Sequence, residues 1–121
     1  RGGGRIILFS SICGNHLAIP GLGVYGAAKA GVNALIENAA LELACHGITV
    51  NGVAPGFFAT ETNAAIVADP EVEQHLRRRT SLGRWGRPAE IGGAVVFLAS
   101  DAASYVTGEI IAVDGGYLSH F

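Results

Sequence analysis

A chain of 121 residues is long enough for one domain and too short for two. Half of the residues are apolar and 15% are charged, which excludes a disordered tail. A net charge of -2 excludes the strongly basic surface of a nucleic-acid-binding domain. No apolar run reaches the roughly 18 residues of a membrane span, and neither a signal peptide nor a disulfide framework is visible. We therefore expect a cytoplasmic protein without nucleic-acid or membrane partners.

The first part of the chain predicts a strand, a long helix and a second strand. Residues 5–10 are a short, continuously apolar run after a glycine cluster, as in a strand buried on both faces. Residues 25–45 carry apolar side chains at helical spacing, and Gly47 stands where that helix would end. The second predicted strand covers residues 48–54 and is terminated by Pro55 and Gly56.

The remainder predicts further helices and a last strand. Short helices are expected over residues 63–67 and 70–79, another helix begins at Pro88, and residues 110–113 form a third strand. Apolar strands that alternate with helices imply a parallel sheet with right-handed crossovers. The predicted fold class is therefore α/β, a three-layer Rossmann-like parallel sheet. Its β-α-β-α-β order corresponds to one half of a doubly wound fold.

Tyr25 and Lys29 are the pair most informative about chemistry. Their spacing of four residues places both side chains on one face of the predicted helix. A neighbouring ammonium stabilises a phenolate. One exposed pair does this too weakly for acid-base work near neutral pH, so proton exchange with a substrate requires a partly desolvated site. Such a pair also occurs by chance on many helix surfaces. Here Lys29 is the only lysine and small residues surround both positions, which favours a catalytic role.

Other polar groups fall at the carboxyl ends of the predicted strands. Ser10 and Ser11 end the first strand, and the Pro55-Gly56 turn ends the second. In an open parallel sheet, ligands bind at this edge. A serine there can donate a hydrogen bond to a substrate oxygen, although capping of the strand end explains either serine alone.

Several motifs follow one another in a fixed order over essentially the entire chain. They are Ser11, Tyr25-x-x-x-Lys29, Asn51-Gly-Val-Ala-Pro55-Gly56 with Thr60, Arg87-Pro88-Ala-Glu90-Ile91 and Asp114-Gly115-Gly116. In this order and approximate spacing they resemble the short-chain dehydrogenase/reductase (SDR) family. Residues 82–88 and 104–108 are most similar to gluconate 5-dehydrogenase and related sugar-acid or 3-oxoacyl reductases.

The resemblance implies a catalytic role for three residues. Tyr25 is expected to be the general acid and base. Ser11, which aligns with the family's serine better than Ser10, is expected to hydrogen-bond the reacting oxygen. Lys29 is expected to hold the nicotinamide ribose and to favour the ionised form of Tyr25.

The resemblance also implies NAD or NADP as cofactor. The expected cofactor-binding residues are Tyr25, Lys29, Pro55, Gly56, Phe58 and Thr60. The expected reaction is hydride transfer between the cofactor and the hydroxyl or carbonyl carbon of a small molecule, for example a sugar acid such as gluconate. The implied assembly is a homo-oligomer, either a tetramer or a dimer, and we expect no metal site.

Some family features are missing from the sequence. It contains neither Thr-Gly-x-x-x-Gly-x-Gly nor Asn-Asn-Ala-Gly, and it has no methionine. We therefore expect residues 1–121 to be the C-terminal half of an SDR domain, with the N-terminal dinucleotide-binding half before Arg1. Gly21-x-Gly23-x-x-Gly26 imitates a dinucleotide-binding turn, but the predicted strand ends too far upstream.

A competing hypothesis is a non-catalytic truncated module that self-associates and binds no dinucleotide. An apolar sheet edge that lacks its covering half is a liability for a lone domain, and self-association would cover it.

Overall fold

The chain forms alternating strands and helices, with short helices inserted before the last crossover. The computed structural model describes residues 3–14 and 16–120. The elements are β1 (Gly4–Phe9), α1 (Gly23–Leu43), β2 (Ile48–Pro55), α2 (Ala64–Val67), α3 (Pro70–Arg79), α4 (Gly92–Ala99) and β3 (Ile110–Val113). Turns of 3-10 helix cover Ala44–His46, Pro88–Ile91 and Asp101–Ala103.

The strands form one parallel sheet with helices on both faces. Within the described residues the sheet has three strands in the order β1-β2-β3. On one face, α1 buries Ile36 and Ala40 against Val50. On the other face, Leu98 of α4 packs against Val53. This helix–sheet–helix arrangement confirms the predicted three-layer α/β class. Across residues 3–14 and 16–120, no helix combines the length and apolar character that crossing a membrane requires.

Helix α1 begins two residues earlier than predicted and ends at Leu43, and the 3-10 turn Ala44–His46 continues it to Gly47, where the sequence predicted the stop. The Gly26 N–H donates to the Leu22 carbonyl at 2.7 Å and closes the first turn. At the other end Gly47 has a φ of 69°, and its N–H donates to Ala44 O at 2.9 Å. A glycine adopts this left-handed conformation without a steric penalty. Tyr25 therefore lies in the first turn of α1, at the carboxyl edge of the sheet.

Asn51 anchors the segment that leads into β3. Its side chain is 1% exposed, and its Nδ2 donates to Val106 O at 2.9 Å. Its Oδ1 accepts from the Glu109 N–H at 3.0 Å. The amide thus pairs two backbone groups that have no other partner among the described residues, and it fixes β3 beside β2.

Replacement of Asn51 by alanine should strongly destabilise the fold. Asn51→Ala removes a fully buried side chain and leaves the Val106 carbonyl and the Glu109 N–H without their partner, and we expect the free energy of unfolding to fall by about 1–3 kcal/mol. Urea denaturation followed by circular dichroism measures the change. Asn38→Ala is the matched control, because Asn38 is exposed and bonds only within α1, to Ala34 O. A loss for Asn51→Ala no larger than that of the control would contradict the anchoring role.

Candidate active site

Parallel pairing places the segment after β1 beside the end of β2. The Ser10 N–H donates to Val53 O at 2.8 Å, and the Ile12 N–H donates to Pro55 O at 3.3 Å. The ladder therefore continues past β1, and Ser11 lies next to the Pro55-Gly56 turn. The Gly14 N–H then donates to Ser11 O at 3.0 Å, which turns the chain away from the sheet.

Ser11 and Tyr25 line one pocket of about 260 Å³. Its wall is completed by Ile12, Cys13, Ile19, Leu22, Gly56 and Phe57. Ser11 is 7% exposed and Tyr25 is 44% exposed, so the serine forms the floor and the tyrosine the rim. The Cys13 N–H donates to Ser11 Oγ at 3.1 Å. Among the described residues the Ser11 hydroxyl proton meets no acceptor, so it can donate to an oxygen in the pocket.

Lys29 lies between Tyr25 and the end of β1. Its Nζ donates to Phe9 O at 3.3 Å and is 5.8 Å from the centroid of the Tyr25 ring. The bond to Phe9 O thus holds the Lys29 ammonium against the end of β1, within reach of the Tyr25 ring. The helical spacing predicted this pairing of Tyr25 and Lys29.

The residues predicted to seat the nicotinamide line a second pocket, of about 410 Å³. Its wall consists of Pro55, Gly56, Phe57, Phe58, Thr60, Asn63, Trp85, Pro88 and Ile91. Gly56 and Phe57 belong to both pockets, so the two adjoin. The structure therefore brings Pro55, Gly56, Phe58 and Thr60 together beside the pocket of Ser11 and Tyr25.

Asn63 organises the loop at this second pocket and was missed in the sequence. Its Oδ1 accepts from Thr60 N at 2.8 Å and from Thr60 Oγ1 at 2.9 Å, while its Nδ2 donates to Phe58 O at 2.9 Å. The sequence does contain a signal for this role: Asn63 follows Thr60 by three residues in a polar turn. Asparagine side chains readily hydrogen-bond nearby backbone groups in such turns.

Trp85 closes the second pocket and is held by α3. Its Nε1 donates to Glu73 Oε2 at 2.9 Å, and its ring meets Phe57 edge-on with centroids 6.3 Å apart. The Arg77 guanidinium donates to Glu73 Oε1 at 2.8 Å, and this bond lowers the pKa of Glu73 despite opposing desolvation. Glu73 thus stays ionised and accepts from both partners.

The Gly21-x-Gly23-x-x-Gly26 segment does not form a turn between a strand and a helix. Strand β1 ends at Phe9, far upstream, and Gly21 lies in a turn that precedes α1. A Cβ on Gly26 would stand 3.0 Å from Cys13 O, so this glycine lets α1 approach the loop after β1. Over residues 3–14 and 16–120, no cluster of histidine, cysteine and acidic side chains is suited to a metal ion.

Glu90 clamps the turn that carries Pro88 and Ile91 into the second pocket. Its carboxylate accepts from Arg84 Nη2 at 2.7 Å, from Arg84 Nη1 at 2.9 Å and from the Arg87 N–H at 2.8 Å. The hydrogen bonds from Arg84, followed by those from Arg87, hold the pKa of Glu90 far below its ordinary value. Glu90 and its arginine partners therefore hold this turn in place, although none of them lines the second pocket itself.

The Glu90 clamp should contribute stability only while Glu90 is ionised. Because the folded-state pKa of Glu90 is depressed below 4.5, its ion pairs stabilise the fold above that pH, and the contribution is lost as the pH falls. The urea midpoint of the wild type should exceed that of Glu90→Gln near neutral pH, and the difference should shrink below about pH 4. Glu61→Gln is the control, since Glu61 forms no ion pair with any described residue. A pH-independent difference would refute the clamp.

A family model described as enoyl-(acyl carrier protein) reductase matches residues 1–118. The chain belongs to the short-chain dehydrogenase/reductase family, as its motifs predicted. The match covers both pockets and all the candidate site residues.

Individual relatives agree with the predicted subgroup. The chain is 45% identical over 116 residues to the gluconate 5-dehydrogenase of Gluconobacter oxydans (strain 621H), covering 96% of this chain and 45% of that protein. It is also 45% identical over 114 residues to the 3-oxoacyl-[acyl-carrier-protein] reductase of Synechocystis sp. (strain ATCC 27184 / PCC 6803 / Kazusa), covering 93% of this chain and 44% of that protein. The chain thus spans just under half the length of these curated relatives.

A solved structure has the same fold. It is a gluconate 5-dehydrogenase from Burkholderia cenocepacia J2315 in complex with NADP and tartrate, and it matches with a TM-score of 0.93 at 42% identity. The match covers 99% of this chain and 47% of that one. The likeness to gluconate 5-dehydrogenases and 3-oxoacyl reductases expected from the sequence is therefore confirmed, and the carboxyl-edge pockets lie within the matched region.

Proposed function

We propose that the intact protein is an NAD(P)-dependent oxidoreductase that acts on a hydroxyl or carbonyl carbon of a small molecule. The observation that carries the proposal is the shared pocket of Ser11 and Tyr25, with Lys29 beside the tyrosine. A hydroxyl donor and a phenol that converge on one cavity can polarise and protonate a carbonyl oxygen. Membership of the SDR family supports the same reaction.

The three residues divide the proton chemistry between them. During reduction Tyr25 gives its hydroxyl proton to the carbonyl oxygen, and during oxidation its phenolate takes that proton back from the alcohol. Ser11 donates a hydrogen bond to the same oxygen, with its own Oγ held in place by the Cys13 N–H. Lys29 keeps its ammonium 5.8 Å from the centroid of the Tyr25 ring and beside the proposed ribose site.

The second pocket has groups that fit the nicotinamide end of NAD(P). Phe57 O and Ala59 N bond to Gly86 in a parallel bridge, and the Phe58 N–H between them donates to no described acceptor. A carboxamide oxygen placed in this pocket would therefore find a free donor, with Pro55, Gly56 and Thr60 around it. The ammonium of Lys29 and the hydroxyl of Tyr25 would meet the ribose. The bound cofactor supplies or accepts the hydride.

A sugar acid such as gluconate is the proposed substrate class. This finer assignment rests on the relatives, which include gluconate 5-dehydrogenases and a structure that holds tartrate. The hypothesis of a non-catalytic module without dinucleotide is not favoured, because the matched relatives are named as dehydrogenases and reductases.

The intact protein is proposed to be a homo-oligomer, a tetramer or a dimer. Support comes from apolar side chains that α1 leaves exposed, namely Val24 (88%), Leu35 (58%) and Leu41 (80%). Assignment of residues 1–121 to the C-terminal half of an SDR domain stays a prediction, and so does the cytoplasmic location.

Loss of the Tyr25 hydroxyl should abolish most turnover. Tyr25→Phe removes the proton donor but keeps the ring, so we expect kcat to fall by about 100- to 10,000-fold. Turnover of NAD(P)H in the intact protein measures kcat, and isothermal titration calorimetry shows whether the cofactor still binds. Tyr105→Phe is the control, because Tyr105 is fully exposed and lines neither pocket. Unchanged turnover of Tyr25→Phe would defeat the proposed function.

The substrate class can be tested separately on the wild-type protein. We expect kcat/KM for gluconate or its keto form to exceed that for a 3-oxoacyl thioester by at least about 10-fold. Steady-state rates with NAD and with NADP are compared across sugar acids, polyols and 3-oxoacyl thioesters. A preference for the thioester would overturn the sugar-acid assignment while leaving the SDR reaction intact.

A further inference from the structure

A buried polar contact joins the end of β1 to α1 behind the candidate active site. Ser10 and Asn33 are each 3% exposed, and the Ser10 hydroxyl donates to Asn33 Oδ1. Burial of a hydroxyl or an amide costs free energy unless it is hydrogen-bonded. Two such groups facing each other therefore hold the strand end and the helix in one relative position.

Ser10 also connects the segment that carries Ser11 with the helical turn that carries Lys29. Ser10 Oγ also lies 3.4 Å from Lys29 O, and Ser10 precedes Ser11 in the chain. In addition, Lys29 Nζ donates a hydrogen bond to Phe9 O, at the end of β1, at 3.3 Å. The backbone that carries Ser11 and the helical turn that carries Lys29 are thus linked through Ser10.

Asn33 continues the helical face that carries Tyr25 and Lys29. The three positions are separated by four residues each, so they lie along one side of α1. The loop after β1 packs closely on the amide, because a Cβ on Gly14 would stand 2.8 Å from Asn33 Nδ2. A shift of Asn33 along or around the helix axis would carry Tyr25 with it.

We propose that Ser10 and Asn33 are positioning residues that set the placement of Tyr25 and Lys29 relative to Ser11. The inference rests on the proposed function. Neither residue lines the pocket shared by Ser11 and Tyr25, although Asn33 lines a separate cavity of about 240 Å³ that also includes Ser11. In this proposal the two residues act through Tyr25, Lys29 and Ser11. The Ser10–Asn33 contact is the only described side-chain hydrogen bond between the end of β1 and α1 in which both side chains are buried.

A pair of substitutions of equal size at Ser10 tests the hydrogen bond apart from packing. Ser10→Thr keeps the hydroxyl and Ser10→Val removes it, while both add a branched side chain. In the intact protein we expect kcat of Ser10→Val to be at least about 10-fold below that of Ser10→Thr, because a small misplacement of reacting groups greatly slows the chemical step. The dissociation constant for NAD(P)H, measured by calorimetry, should differ between the two variants by a smaller factor than kcat, because Pro55, Gly56, Phe58 and Thr60 are untouched whereas proton transfer depends on how Tyr25 is aligned with Ser11.

Asn33→Ala should reproduce the effect from the other side of the contact. Its kcat should fall by a similar factor, and Ser10→Val combined with Asn33→Ala should be no slower than either single variant, because each removes the same bond. Asn38→Ala is the matched control on α1, since Asn38 is exposed and bonds only to Ala34 O at 2.8 Å. Its kcat should stay within about 2-fold of wild type.

The outcomes separate this inference from the proposed function. All kcat values are expressed per cofactor-binding site counted by calorimetry, so loss of folded protein cannot imitate a slower reaction. Equal kcat for Ser10→Thr and Ser10→Val, or additive effects in the double variant, would overturn the positioning role. If Tyr25→Phe is inactive while Ser10→Val is fully active, only the positioning inference is wrong. If Tyr25→Phe is fully active, the proposed function itself is wrong.

Discussion

The parallel register of β1 and β3 on the central strand β2 is the constraint on which the site depends. Because the three strands run in one direction, their carboxyl ends meet at a single edge, and the chain enters α1 from that edge. Strand β2 is the most buried of the three and carries Gly52. A Cβ on Gly52 would stand 2.5 Å from Ile36 Cδ1, so a larger residue there would have to displace the Ile36 side chain that packs α1 on β2. Close seating of α1 sets how near its first two turns come to the end of β1.

The two pockets are held in different ways. The pocket of Ser11 and Tyr25 is lined mostly by the loop between β1 and α1, and backbone hydrogen bonds from Ser10 and Ile12 hold the start of that loop against the end of β2. The adjoining pocket is formed mostly by loops, and side chains fix its shape: Asn63 bonds the Phe58–Thr60 turn, and Glu90 fastens the turn before α4. The difference fits the proposed roles of the two pockets. Proton transfer at Ser11 and Tyr25 requires fixed distances, whereas the nicotinamide ring proposed for the second pocket requires mainly a cleft of matching shape.

Local sequence signals predicted most of the fold and the identity of the candidate site. Continuous apolar runs predicted the strands, and Gly47 predicted the end of α1. The start of α1 was misplaced because Leu22 precedes it and offers no capping side chain. The 3-10 turn at Pro88–Ile91 was read simply as the start of a helix, since Pro88 favours either form. The Ser10–Asn33 contact joins positions 23 residues apart, and only the packing of α1 on the sheet brings them together.

Trp85 is the only tryptophan in these 121 residues, and its indole ring forms part of the wall of the 410 Å³ pocket. Its emission therefore reports on one place in this chain. A group entering the pocket would displace water from the ring face and alter the polarity around it. Rearrangement of α3 would break the bond from its Nε1 to Glu73 and change the same signal. The chain thus carries an intrinsic optical probe whose intensity and wavelength follow the occupancy of a single cleft.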